Sequence, residues 1–364
     1  MLWRLSCLKK KSIFKNSTFW SLVFVAVITG ITVWYVLKDD TAEKLLQLQQ
    51  VNLLWVAAAM SLVVFWWFAE AVVIKRIGKI QGVKYRYMDA VFATIIGQFY
   101  SLATPAATGG DFLQTYYMNK QGVKLSSAIS MVTVNLILYV ASLLAMSFVS
   151  ALISYPFFSS YVPGLDAFLV IGFGSTLLVY VTMLTCALSE KLHGVIIGLL
   201  STILKKINAE KSEKWIVNIS LGIGEFREGI QLIGKHRMAH FKIFLFNCGR
   251  MIIFNFLPIF VALAFGMELN IWMWIYATCG SILIALITSF IPIPGATGGS
   301  EVLFTLIYSF IFSSDALGPG LLLWRSGQFY FTIIVGGLVT VIYSLYIRRK
   351  SSNSEVVEEL EAIE

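Results

Sequence analysis

Pro105-Ala106-Ala107-Thr108-Gly109-Gly110 and Pro294-Gly295-Ala296-Thr297-Gly298-Gly299 are near copies of each other, and each interrupts a strongly apolar run. A polar residue suited to capping a helix follows each one, Asp111 in the first and Ser300 in the second. Irregular backbone at membrane depth is tolerated only where protein buries it or a wet cavity adjoins it. A matched pair of broken segments in the two halves of a membrane protein is the sequence mark of a transport site. The rest of the chain is read outward from these two stretches.

The 364 residues are 58% apolar, 14% aromatic and only 13% charged. Several apolar runs exceed the ~18 residues that mark a membrane helix. This is the composition of an all-α, polytopic membrane protein. Spanning helices are expected over Phe19–Leu37, Leu53–Ile74, Ser126–Ile153, Leu165–Leu188, Phe241–Phe265 and Pro319–Tyr346. Phe19–Leu37 is too long for a signal-peptide core and lacks a small-residue cleavage pattern, so it reads as a retained first helix. The first motif breaks Asp89–Met118 and the second breaks Trp272–Phe312. Each arm of these segments is near or below the ~20 residues needed to cross. Both are therefore expected to be re-entrant helical hairpins.

Charge sets the expected orientation. Every lysine and arginine except Lys38, Lys44, Arg250 and Arg325 falls in loops or termini on one side of this scheme. Six spanning helices and two hairpins, with both termini cytoplasmic, satisfy the positive-inside rule. The first hairpin then opens from the cytoplasm and the second from outside, an inverted-topology repeat. The implied organisation is a basic N-terminus (1–17), one transmembrane domain (18–350) and an acidic cytoplasmic tail (351–364). The domain contains half-repeats 51–154 (hairpin 89–118) and 241–348 (hairpin 272–312), joined by a cytoplasmic linker (189–240). Apolar residues at helical spacing in the linker, Leu192 to Ile207 and Trp215 to Ile233, read as amphipathic helices on the membrane surface. They serve either as a simple connection or in lipid recruitment.

The formal charge of +8 follows from those loops, so nucleic acid is not expected as a partner. Cys7, Cys186, Cys248 and Cys279 show no metal-like spacing, and His193, His236 and His240 show no ligand pattern. There is no phosphate loop, dinucleotide fingerprint or nucleophile elbow. No cofactor, metal or catalytic residue is expected, and the chain reads as a non-enzyme.

Proline ends the arm that precedes each break. Paired glycines permit positive φ and close backbone approach. The helix after each break then begins deep in the membrane with unpaired N–H groups and its positive dipole end exposed, a site for an anion such as phosphate. Candidate ligand-contacting residues are Thr108, Gly109, Gly110 and Asp111 in the first motif and Thr297, Gly298, Gly299 and Glu301 in the second. Each has a plainer role open to it. Asp111 and Ser300 suit N-caps, the threonines suit turn bonding, and the glycines suit close helix packing. Charges inside the bilayer are costly and face a cavity or a partner. Arg325, with Gln328 and Tyr330 on the next turn, either pairs with Glu301 or meets a lipid phosphate. Arg250 is a further candidate. Glu70 near a helix end is expected to snorkel or to pair with Lys75.

At these residues the chain resembles the transmembrane region of lysylphosphatidylglycerol synthase, the flippase-like (YbhN-type) membrane family. The likeness rests on Thr104-Pro105 through Gly110-Asp111, on Pro292 through Glu301, and on Arg325 with Tyr330. It departs from the family pattern at Ala296, where a further glycine is common. The resemblance implies lipid handling, that is, movement of an aminoacyl-phospholipid, phospholipid or lipid-linked sugar between leaflets of a bacterial or archaeal cell membrane. The implied partners are a lipid with an anionic headgroup and a separate soluble lipid-modifying enzyme or glycosyltransferase. The soluble aminoacyl-transfer domain of two-part members is not expected in this chain, so a lysyltransferase label would overstate it. Other readings that stay open are a small-anion carrier, a membrane subunit of a phosphatidylglycerol lysyltransferase system, and a scaffold.

Overall fold

The computed structural model describes residues 51–104, 107–189, 227, 229–289, 291 and 293–361. Among them every regular element is helical. The run Phe19–Leu37 and most of the amphipathic linker lie outside the described residues.

The helices are α1 (Leu53–Ile80), α2 (Tyr87–Ala103), α3 (Thr108–Lys120), α4 (Leu125–Phe158) and α5 (Leu165–Leu188) in the first part. The second part holds α6 (Arg237–Phe254), α7 (Leu257–Ala264), α8 (Ile271–Thr288), α9 (Gly299–Tyr308), α10 (Ser314–Arg325) and α11 (Phe331–Glu361). Local chemistry sets many of these ends. The side chains of Asn52 and Asn270 accept the N–H groups of Leu54 and Met273 at 3.0 and 2.9 Å, capping α1 and α8. Gly82, Gly122 and Gly266 close helices with positive φ.

Six stretches of the described residues are long and apolar enough to cross a bilayer: Leu53–Ile80, Leu125–Phe158, Leu165–Thr185, Arg237–Ala264, Ile271–Thr288 and Ser314–Tyr346. Five match the sequence expectation. The sixth, Ile271–Thr288, is the arm before the second break, expected as half of a hairpin and yet of spanning length. Two expected helices are not continuous. Phe241–Phe265 is broken at Asn255 and Phe256, with Pro258 opening α7. The last helix carries a π turn at Ser326–Tyr330, directly after Arg325. The acidic stretch expected as a tail continues α11 as far as Glu361.

Each motif turns the chain back on itself. In the first, Gly97 faces Gln114 and Gly110 faces Ser101, so α2 and α3 are antiparallel. In the second, Tyr308 donates to the carbonyl of Ala277 at 2.9 Å, and Gly280 faces Ile307. The two helical hairpins are held crosswise. α2 packs on α11 of the second part, where Phe92 stacks on Tyr343 at 4.7 Å and Phe99 crowds Gly336. α8 packs on α4 of the first part, where Tyr276 stacks on Phe157 at 4.2 Å. At the base of the first hairpin, Gln121 donates to the Asp89 carbonyl and to the Tyr343 hydroxyl, and it accepts from Tyr85. Burial, with the nearby Asp89 second, pushes the Tyr85 phenol above its ordinary range, so it stays a hydrogen-bond donor.

Candidate functional site

The turns of the two hairpins flank one cavity of about 950 Å³. Its wall takes Trp66 and Glu70 from α1, Gln98 from α2, and Asp111 and Thr115 from α3. Asn135 and Tyr139 come from α4, Ser289 follows α8, and Ala296, Ser300, Arg325 and Gln328 complete it. The volume lies within the range of small-molecule sites.

Both turns are built on an alanine in the left-handed region, Ala107 at φ 55° and Ala296 at φ 49°. These occupy the same place in the two motifs, and they are the positive-φ residues other than glycine among the described residues. An alanine there costs roughly 1–2 kcal/mol over a glycine-like conformer, so the repeat in sequence is also a repeat of backbone strain. Ala296 thus sits where the resemblance leads one to expect glycine.

The helix starts differ from expectation. Ala107 is the N-cap of α3 and Gly298 that of α9, so neither Asp111 nor Ser300 is a cap. Both fall inside the first turn of their helices. In the first motif Thr104 secures the turn: its Oγ1 accepts the Gly109 N–H at 2.8 Å and donates to the Tyr100 carbonyl at 2.7 Å. In the second, the equivalent Gly298 N–H is taken by Glu301 Oε2 at 2.7 Å. Ser300 Oγ stands 2.9 Å from the Ala296 carbonyl and 3.0 Å from Glu301 Oε2. The start of α9 is therefore already occupied by the chain's own carboxylate, as suits the helix dipole.

Arg325 is 3% exposed and pairs with that same Glu301. Its Nε and Nη2 donate to Oε1 at 2.8 and 2.6 Å, and its Nη1 donates to the Gly295 carbonyl at 3.1 Å. Phe329 and Trp324 flank the guanidinium at 5.4 and 5.7 Å. An arginine has five N–H groups in a fixed fork. Three are engaged within the described residues, and the residue still lines the cavity. The ion-pair alternative for Glu301 and Arg325 is the one the geometry adopts.

Glu70 does not snorkel and does not pair with Lys75. It is 7% exposed and receives three partners: Gln98 Nε2 at 2.9 Å, Asn135 Nδ2 at 3.2 Å and Arg250 Nη1 at 3.5 Å. Arg250 in turn donates to Asn247 at 2.8 Å and lies 4.1 Å above the Trp66 ring. The chain neighbour Lys75 is instead placed over Tyr87. A buried carboxylate needs a desolvated partner, and a guanidinium on a facing helix supplies one where a lysine along the same helix does not.

The other expected residues divide. A Cβ on Gly110 would overlap Ser101 Oγ and come within 2.7 Å of the Gly97 carbonyl, so this glycine serves hairpin packing. One on Gly109 would meet Thr104 at 2.6 Å, and one on Gly299 would meet Ile291 at 2.5 Å. Gly298 has open space and φ +90°. Thr108 opens α3, whereas Thr297 and Tyr330 are not among the residues lining the cavity. Asp111 and Gln328 do line it, and Arg250 stands behind it, against the wall residues Glu70 and Trp66. Sequence reasoning passed over Gln98, Asn135 and Asn247. Each is a neutral amide within an apolar helix, a costly placement in a membrane that carries its own signal.

Six apolar stretches of spanning length, around a cavity whose largely apolar wall carries a few charged and amide side chains, define a multi-pass integral membrane protein. The chain belongs to the lysylphosphatidylglycerol synthase transmembrane-region family, whose model matches residues 19–336. It is also similar to a UPF0104 membrane protein of Archaeoglobus fulgidus. The two are 23% identical over 326 residues that cover 88% of this chain and 96% of the relative.

Proposed function

We propose that the protein is a lipid translocase that moves a phosphate-bearing lipid between leaflets of a prokaryotic cell membrane. The observation that carries this reading is the cavity between the two hairpin turns, with the Arg325 fork in its wall. The headgroup enters that cavity while the chains stay in lipid, and its phosphate takes the N–H groups of Arg325 that Glu301 and Gly295 leave over. Glu301 offsets the charge of Arg325, which keeps the anion from binding too tightly to leave.

In this reading the hairpins are re-entrant, one from each face, and the two half-repeats are related by inversion with cytoplasmic termini. The crosswise packing of α2 on α11 and α8 on α4 supports it, as does the shared left-handed alanine of the turns. Rocking of the halves about the cavity then exposes it to each side in turn. Family membership supports a lipid as the cargo.

The test is transbilayer exchange of fluorescent phosphatidylglycerol in liposomes holding the full-length protein. Wild type should accelerate exchange over empty liposomes, and Arg325→Lys, which keeps the charge but loses the fork, should slow it. Wild-type liposomes no faster than empty ones, across anionic and zwitterionic analogues, would refute the proposal. Uptake of a small anion without lipid exchange would replace it with a carrier of that anion.

A further inference from the structure

The cavity lies toward one end of the bundle. On α4 its wall is Leu125, Ile129, Val132, Leu136, Val140 and Leu143, a stripe at helical spacing. At about 1.5 Å of rise per residue this stripe is about 27 Å long. It starts on the first residue of α4 and stops just past the middle of the helix. α3 lines the cavity from Asp111 in its first turn to Asn119 in its last, and α8 contributes Ala285 and Thr288 from its last turn. The cavity therefore reaches the end of the molecule where α3 leads into α4. At the opposite end the last turn of α4 is packed among aromatic rings. Phe157 lies on Tyr276 at 4.2 Å and against Phe310 at 5.0 Å, with Phe158 beside both. None of these four residues lines the cavity.

The open end has an apolar and aromatic rim. Phe112 and Tyr116 of α3 and Leu125 and Ile129 of α4 line the cavity and are also 41–76% exposed. Further in, Val132, Val140 and Leu143 are 3% exposed or less. Exposed apolar surface costs about 25 cal/mol per Å² in water and nothing against hydrocarbon. A contiguous rim of this kind suits lipid chains rather than solvent. Lys120 stands at the same place, its ammonium 5.6 Å from the centre of the Tyr116 ring, so a cation borders the mouth.

We infer that the cavity loads sideways from the leaflet beside the α3–α4 loop, through the mouth formed by Phe112, Tyr116, Leu125 and Ile129. Its occupant is a single anionic membrane lipid. One continuous wall joins a cation at the rim, an apolar stripe along α4 and the Arg325 fork inside. A small anion would meet only the last of these, whereas an amphiphile meets all three. The phosphate passes Lys120 and moves in to Arg325, and the chains leave through the mouth across Leu125 and Ile129. The structure is then the conformation open to that leaflet, with the rings of Phe157, Tyr276 and Phe310 closing the other end. The inference deepens the translocase reading, rests on it for its purpose, and adds the side from which the cargo arrives.

Photo-crosslinking reads the mouth without transport. Benzoylphenylalanine replaces Tyr116 or Ile129 in the full-length protein or, as a control, Leu338, which is exposed on α11 away from the cavity wall. The protein is reconstituted in phosphatidylcholine liposomes with a minor share of phosphatidylglycerol, and mass spectrometry identifies the lipid adducts. The probes at 116 and 129 should capture phosphatidylglycerol several-fold above its share of the bilayer, and the probe at 338 in proportion to that share. Glu301→Gln combined with Arg325→Gln removes both charges and strands neither, so it should return the first two probes to the bulk proportion. No adduct or bulk proportions at 116 and 129, or an enrichment that the paired variant keeps, would overturn the inference. Exchange of fluorescent phosphatidylglycerol in the same liposomes separates the two readings. Exchange without enrichment sinks the mouth alone, and enrichment without exchange sinks the translocase while the lipid site stands.

Discussion

The two motifs share a sequence and a turn, yet they solve the same local problem with different side chains. The N–H of Gly109 and that of Gly298 stand at matching places. Thr104, on the arm before the turn, accepts the first, and Glu301, on the helix after it, accepts the second. The neutral hydroxyl leaves Asp111 free to face the cavity. The carboxylate instead draws in Arg325 from another helix, so the second turn is locked to the end of α10 by charge. The first turn is held from within its own hairpin and the second is tied to α10 by an ion pair, a division that the near-identical motifs do not announce.

Variants can break this contrast in order of expected effect. Replacing Arg325 with alanine takes the charge partner from a partly buried Glu301, which keeps the Gly298 N–H, and should cost about 2–3 kcal/mol in an equilibrium unfolding measurement. Adding Glu301→Gln to it should recover part of the loss. Gly110→Ala should cost about 1–3 kcal/mol, because the new methyl meets the fixed Gly97 carbonyl as well as Ser101. The matching Gly299→Ala meets only the mobile end of Ile291 and should cost less in the same measurement. Thr104→Val removes the clasp of the first turn and should lose about 1 kcal/mol, which Thr104→Ser should restore. The smallest effects belong to Ala107→Gly and Ala296→Gly. Relief of the left-handed strain outweighs the added chain entropy of about 0.4–1 kcal/mol, so both should be neutral to slightly stabilising. Equal responses at the paired positions would show that the two turns are mechanically alike after all.

Much of the scaffold was legible because it depends on the length of apolar runs and on proline and glycine punctuation, which are local properties. Leu53–Ile80 and Leu125–Phe158 needed nothing else. Other features depend on partners far along the chain. Lys75 is visible five residues from Glu70, whereas Arg250 arrives through the packing of α6 against α1. The capping roles expected of Asp111 and Ser300 failed for a related reason. Each motif carries an alanine in the left-handed region, and each helix begins before the polar residue that should have marked its start. The Glu301–Arg325 alternative was foreseen, since two opposite charges in apolar surroundings have few other ways to be accommodated. Asn135 and Gln98 carried a signal of their own as amides in apolar helices, but only the structure shows what they face.

The crosswise packing of the hairpins has a consequence for how the protein is made. α2 leaves the ribosome long before α11, the helix against which Phe92 and Phe99 rest. At translation rates of about 5–20 residues per second, that interval is on the order of ten seconds or more. Throughout it the first hairpin must exist without its permanent neighbour. The α2–α3 pair therefore has to hold its own backbone bonds and its own close glycine contacts from the moment it forms, whereas the second hairpin is synthesised onto a wall, α4, that already exists. The order of synthesis alone favours a first turn that is self-sufficient and a second that leans on its surroundings.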